Sequence, residues 1–255
     1  MVELKTPAEI EQMRTAGRVV ASALQAVKKE ASVGVSLREL DEVARDVLRS
    51  AGAVSLFEGY QPGFATSPFS GVICTSVNDA VLHGLPTDLK LADGDLLNVD
   101  CGASVDGWCA DSAISFCIGT PRPEDLELIA TTERALAAGI AAAVDGNRLG
   151  DISAAIGRIG HDAGLGTNLD FGGHGIGHRM HEDPHIPNGG RPGRGLKLRA
   201  GHVFAIEPWF WSGPGSTYRI DEDGWTLRSA DETRGAHAEH SVAITPTGPE
   251  ILTLP

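Results

Sequence analysis

Hydrophobic positions return along this chain with two different periods. After Thr6-Pro7-Ala8-Glu9, a capping box with proline at the first helical position, Ile10, Met13, Val20, Leu24 and Val27 recur at three- to four-residue intervals or their sums. That spacing predicts an amphipathic helix to about Glu30. A second capping box, Ser36-Leu37-Arg38-Glu39, opens a helix that carries Leu40, Val43, Val47 and Leu48 and is closed by Gly52. Residues 53–75, rich in Gly, Pro, Ser and aromatics, read as a long loop of the kind that often carries function. Short strands are expected over Val72 to Thr75 and Ala80 to His83, turning at Asn78-Asp79, with Leu89 to Gly94 as a connector.

The second half repeats the order. A helix is predicted from near Pro123, with Leu126, Ile129, Leu136 and Ile140 on its apolar face and Asp145-Gly146 at its end. Another takes Asp151 as N-cap, carries Ile152, Ile156 and Ile159, and closes at Gly164. Strand-like segments follow over Gly173 to Ile176, at His181, and over His202 to Glu207, Tyr218 to Ile220, Trp225 to Arg228, His237 to Ile244 and Glu250 to Leu252. Two helices followed by strands, twice over, predict a duplicated α+β architecture of one domain, with halves of about 1–120 and 121–255 and helices backing a mostly antiparallel sheet. A site at the junction would draw groups from both halves.

Between the helix pairs, Asn98 to Asp111 reads as a β-hairpin. Leu96, Leu97 and Val99 flank it on one side, Ala113, Ile114 and Phe116 on the other, and Asp106-Gly107 supplies the turn. If the loop centres between Val105 and Asp106, Asp100 and Asp111 face each other. If Asp106-Gly107 is itself the loop, Asp111 faces Gly102, two residues along from Asp100. Both registers put the two acids on one face of the sheet. Like charges that close are unfavourable unless a cation or a shared proton separates them. A solvated polar face would suit either Asp alone; the apolar flanks favour a metal site.

Composition narrows the picture without changing it. Hydrophobic content of 42% and charged content of 22% over 255 residues are those of an ordinary globular protein. The net charge of −13 argues against nucleic acid, and so against specific DNA, or an anionic membrane as the main partner. Cys74, Cys101, Cys109 and Cys117 show no CxxC spacing and read as reduced thiols in the cytoplasm. No signal peptide begins the chain, and the longest apolar run, Ala135 to Val144, is too short for a bilayer. The local basic run of Arg191, Arg194, Lys197 and Arg199 reads first as a solvated loop, with contact to ribosomal RNA as the alternative.

Few other polar residues interrupt apolar strand patterns. His174 lies in Gly172-Gly173-His174-Gly175-Ile176, Glu207 in Val203-Phe204-Ala205-Ile206-Glu207-Pro208, and Glu239 in Ala238-Glu239-His240-Ser241-Val242. Each acid alone could be a strand end reaching solvent. Together, two Asp, one His and two Glu form an oxygen-rich set whose four negative charges balance two divalent cations. In this order they resemble the five metal ligands of the methionine aminopeptidases and the wider pita-bread fold. Asn78 to Pro86, His174-Gly175-Ile176-Gly177 and Glu239 to Val242 are also similar, and the likeness runs from Thr6 to Leu252. The short interval from His174 to Glu207 leaves no room for the helical insert of the type II enzymes, so the chain resembles type I. It is expected to begin directly at the catalytic domain.

The resemblance implies a function: removal of the initiator methionine from nascent polypeptides when the second residue is small. Asp100 would chelate one ion, His174 and Glu207 the other, and Asp111 and Glu239 would bridge. Two divalent ions (Co, Mn or Fe) would activate a hydroxide and polarise the scissile carbonyl. Glu207 would shuttle the proton, His181 would stabilise the tetrahedral intermediate, and His83 would contact the scissile amide. Without the resemblance, His83 reads as a turn histidine bonded to backbone; His178 is left out because the family does not use it as a ligand. Tyr60, Cys74, Met180 and Trp225 are the pocket candidates, followed by Phe64 and Phe69, although ordinary core or loop packing would also account for them. Two features depart from the family: a longer Tyr60–Cys74 loop, and Met180 where an aromatic is usual. A monomer is implied. The rivals are an X-Pro dipeptidase, which usually has a large N-terminal domain, and a non-catalytic pita-bread binding module, which typically loses metal ligands.

Overall fold

The computed structural model describes residues 2–63 and 65–255, so the expectation for Phe64 lies outside the described residues. Helix α1 (Pro7–Glu30) is capped as its sequence predicts. Thr6 Oγ1 accepts the Glu9 N–H at 3.3 Å, and the Glu9 carboxylate accepts the Thr6 N–H at 2.7 Å. Ser36 and Glu39 do the same for α2 (Leu37–Ser50). Their apolar faces, including Val20, Leu24, Leu40 and Leu48, bury against Leu97, Val99, Ala103 and Ala110.

Strands β1 (Val54–Ser55), β2 (Cys74–Val77) and β3 (Ala80–Leu82) lead into the hairpin of β4 (Leu96–Val105) and β5 (Trp108–Cys117). Val105 pairs with Trp108, which leaves Asp106 and Gly107 as a two-residue loop, both at positive φ (50° and 82°). Of the two registers open to the sequence, this one sets Asp111 opposite Gly102 and Asp100 opposite Ala113. β2 begins later than predicted for a local reason. Asp41 Oδ1, on α2, accepts the Val72 and Ile73 N–H groups at 2.7 and 3.1 Å, so a side chain satisfies donors that a strand would otherwise use.

Helices α3 (Pro123–Ala142) and α4 (Leu149–Asp162) pack Ile129, Leu136, Ile152 and Ile156 on Phe204, Ile206, Val242 and Ile244. Leu126 is not on that face; it is 49% exposed, while Asp125 turns inward to pair with Arg234. Asp151 is not the N-cap either. It is the third helical residue, and its carboxylate accepts the Arg148 N–H at 2.7 Å. The basic run straps the start of α4: Arg194 and Leu196 carbonyls accept the Gly150 and Leu149 N–H groups, leaving the Arg191, Arg194, Lys197 and Arg199 side chains exposed.

The strands that follow are β6 (Gly172–Gly175), β7 (Glu182–Pro187), β8 (Val203–Ile206), β9 (Trp209–Trp211), β10 (Tyr218–Ile220), β11 (Leu227–Ser229), β12 (Gly235–His237), β13 (His240–Thr245) and β14 (Gly248–Ile251). Five of them form an antiparallel sheet in the order β14-β13-β8-β6-β7, and β9 pairs separately with β12. β7 begins at Glu182, so His181 precedes it rather than forming a strand. The predicted strand from His237 breaks at Ala238-Glu239, whose N–H groups go to the Pro208 and Ala113 carbonyls. The β8–β9 run breaks at Glu207-Pro208, where proline has no N–H to give. Glu207 and Glu239 thus both stand where the chain leaves one sheet for another.

The halves are stitched along β5 and β13. The Asp111 N–H donates to Ser241 Oγ, and that hydroxyl donates back to the Asp111 carbonyl, both at 2.9 Å. Ser112 Oγ donates to the Glu239 carbonyl at 2.6 Å. Among the described residues every strand pairing is antiparallel, and no helix is long and apolar enough to cross a membrane.

Candidate metal centre and pocket

The hairpin and the two strand breaks converge on one cavity of about 820 Å³, lined by all five of Asp100, Asp111, His174, Glu207 and Glu239. Donor atoms of Asp111, His174 and Glu239 all lie within 4.8 Å of one another. His174 Nε2 lies 3.6 Å from Glu207 Oε1. Its Nδ1 is 2.9 Å from the Gly175 carbonyl, which assigns the proton to Nδ1 and leaves the Nε2 lone pair facing the acids.

Electrostatics makes this an unstable gathering unless something positive joins it. Burial pushes Asp111 up to about 7. Burial, then the Asp111 charge, pushes Glu207 up to about 8. Asp100 and Glu239 rise well above the carboxylate range for the same two reasons in the same order. His174 falls to about 3, chiefly through burial, and is neutral as a ligand must be. Asp100 Oδ1, Asp111 Oδ1 and Glu239 Oε1 are buried without a hydrogen-bond partner among the described residues. Such acceptors are costly unless a cation meets them. Four carboxylates and one imidazole, with no thiolate, fit divalent ions of the Mn, Fe and Co kind.

Beside this set lies an apolar pocket. Cys74, Met180 and Trp225 pack with Phe57 and Phe69 in one cluster, Phe69 meeting Trp225 edge-on at 5.0 Å. Trp225 Nε1 donates to the Ser67 carbonyl at 2.9 Å, which ties the long loop over the pocket. Tyr60 stands apart at the mouth, 36% exposed, with its hydroxyl 3.1 Å from His181 Nδ1. The His181 ring is 4.4 Å from that of His174. His83 sits at positive φ (58°), edge-on to Phe171 at 5.4 Å, and burial lowers it to about 4. Next to it, a Cβ on Gly84 would come within 2.1 Å of the Thr75 carbonyl oxygen, so only glycine lets β3 leave this close to β2. His178 lies elsewhere, its ring 3.8 Å from that of Trp108 and its Nδ1 2.9 Å from the Gly107 carbonyl.

A model of metallopeptidase family M24 matches residues 11–246. The chain belongs to metallopeptidase family M24. Along its full length it is 45% identical to methionine aminopeptidase 1 of Mycobacterium tuberculosis, covering 96% of that protein. The crystal structure of a methionine aminopeptidase from Thermotoga maritima superposes with a TM-score of 0.95 at 37% identity, each chain covered completely. Prolidase from Pyrococcus furiosus, at 22% identity and a TM-score of 0.74, shares the fold alone; this chain covers 65% of it. The fold is the pita-bread α+β fold of the M24 proteins.

Within this M24 chain, sequence reasoning passed over Phe57, Phe171 and Tyr218, which line the cavity, and His237, which stands between two of the carboxylates. The three aromatics lie in loops or a three-residue strand, where no period marks them. His237 carried a usable signal: in Gly235-Ala236-His237-Ala238-Glu239 it interrupts an apolar run two positions before Glu239.

Proposed function

We propose that this chain removes an N-terminal methionine from nascent polypeptides whose second residue is small. Adjacency carries the reading: the sulfur-bearing pocket of Phe57, Phe69, Cys74, Met180 and Trp225 opens onto the cavity that holds the five donor side chains. Such a pocket suits one long, unbranched side chain, and Met180 can mould around a thioether. Burying a methionine side chain is worth about 1.5–3 kcal/mol, enough to select it over smaller residues. The full-length likeness to methionine aminopeptidases supports the same substrate class.

Asp100 would hold one divalent ion and His174 with Glu207 another, with Asp111 and Glu239 shared between them. Bound there, Co, Mn or Fe supplies Lewis acidity toward the peptide carbonyl and lowers the pKa of a water. The chain's own residues do the rest. Glu207, with Oε1 toward His174, takes a proton from the attacking water and returns it to the leaving amine. His181, at the mouth, donates to the substrate carbonyl oxygen as negative charge gathers there. His83 contacts the scissile amide. Burial lowers the His83 imidazole, and partial desolvation of the ring at the cavity mouth lowers that of His181, so both are neutral near pH 7 and each has one N–H to give. The second residue must pass close to the acids and His83, which favours small side chains. Nascent chains place this work in the cytoplasm, where a monomer suffices and the exposed basic strap offers a face to the ribosome.

A peptide panel assayed with added metal tests the reading. Met-Ala-Ser and Met-Gly peptides should be good substrates, Met-Leu and Met-Lys peptides poor, Leu-Ala weak, and Ala-Pro untouched. Faster hydrolysis of Ala-Pro than of Met-Ala-Ser would assign the chain to the X-Pro dipeptidases instead.

A further inference from the structure

His237 is a buried imidazole inside the site to which no role has yet been given. It ends β12, and its backbone is clamped from the hairpin: the His237 N–H donates to Ser115 Oγ at 2.9 Å, and that hydroxyl lies 2.7 Å from the His237 carbonyl. Ser115 Oγ also donates to Asn98 Oδ1, and Asn98 Nδ2 donates to the Gly235 carbonyl at 3.0 Å. Both arms of the hairpin therefore fix where the imidazole stands. The side chain is only 2% exposed, and its Nε2 has no hydrogen-bond partner among the described residues. Nε2 points at two carboxylates, 3.7 Å from Glu207 Oε2 and 4.0 Å from Glu239 Oε2.

We infer that His237 is a positioning residue for Glu207: its Nε2–H holds Oε2 and leaves Oε1, on the His174 side, for the ion and the proton. The inference rests on the proposed reading of Glu207 as ligand and proton shuttle. The tautomer follows from the neighbours, because an Nε2 lone pair aimed at two carboxylates would repel both. At 3.7 Å the contact is beyond hydrogen-bond range, and a closing movement of about 0.5 Å brings it within that range. The two Glu207 oxygens then have different partners: Oε1 lies 3.6 Å from the His174 Nε2 lone pair, where an ion would join the two, and Oε2 faces the His237 Nε2–H. Partners that orient a ligand in this way typically matter 10- to 100-fold in metal affinity or activity.

The test pairs His237→Leu, which removes the donor at similar volume, with His237→Gln, which keeps an N–H. Co(II) binding is followed by visible absorption and calorimetry, and turnover is measured on Met-Ala-Ser. His237→Leu should bind Co(II) or turn over about 10- to 100-fold more weakly, with the loss in kcat rather than KM, and His237→Gln should recover most of it. Imidazole nitrogen NMR of the wild-type chain loaded with Zn(II) gives a second readout that needs no variant to fold: Nε2 should carry the proton. Unchanged Co(II) affinity and kcat in His237→Leu, or an unprotonated Nε2, overturns the inference while the two-ion reading stands. A wild-type chain that takes up no Co(II) removes that reading, and the inference with it.

Discussion

His174 and His181 are seven positions apart in sequence and their rings 4.4 Å apart in space, yet their surroundings suit them to different roles. His174 is buried, with its Nδ1 committed to the Gly175 carbonyl, so it can only present a lone pair. His181 stands exposed at the mouth, against Tyr60. His174→Ala should therefore weaken metal uptake, measured by Co(II) titration, whereas His181→Ala should keep the ions and lose roughly 100- to 1000-fold in kcat. Near-wild-type turnover in His181→Ala would remove its assignment. At this scale the acids were legible because an ionisable group inside an apolar strand pattern is costly and so demands a reason. Tyr60 was legible as a pocket candidate, and it does line the cavity, but not as a residue of the mouth, since sequence does not say which loop aromatics pack inward.

At the level of elements, the helices were readable from capping boxes and period, and the hairpin from Asp106-Gly107. What escaped were the places where one element answers another. Val72 and Ile73 do not extend β2 because Asp41 on α2 takes their N–H groups, and Leu126 faces solvent because Arg234 draws Asp125 inward. β9 has three residues after a proline, too few to show a period. These long-range exchanges have no local signature. They do have testable consequences: Gly84→Ala would force a Cβ against the Thr75 carbonyl, displacing β2 against β3 next to His83. Urea unfolding should show a loss of about 1–3 kcal/mol, and turnover should fall with it. A variant within 0.5 kcal/mol of wild type, an ordinary surface effect of about that size, would mean the approach is relieved cheaply.

Across the whole molecule, four carboxylates buried together make stability depend on pH and metal in a predictable direction. Without metal, Asp111 and Glu207 titrate near 7 and 8 in the folded chain, against about 4 when unfolded. Over that interval the folded state holds more protons, so their contribution is present at low pH and is lost as pH rises through 7 and 8. His83, His174 and His237 act in the opposite sense, adding stability as pH rises toward 6.5 and nothing above it. From pH 6.5 to 8 the denaturation midpoint of the metal-free chain should therefore fall. With Co(II) or Mn(II) present the trend should flatten or reverse, because binding requires deprotonated ligands. A metal-free midpoint that rises over this range would contradict the carboxylate assignment.

The most direct measurement is methionine release from Met-Ala-Ser, followed by mass spectrometry on exhaustively chelated chain before and after Co(II), Mn(II) or Fe(II) is returned. Release should vanish on chelation and be restored by at least one of the three ions, with Ala-Pro left intact throughout. Full release by the metal-free chain, or no release with any of the three ions, would contradict a metal-dependent methionine aminopeptidase.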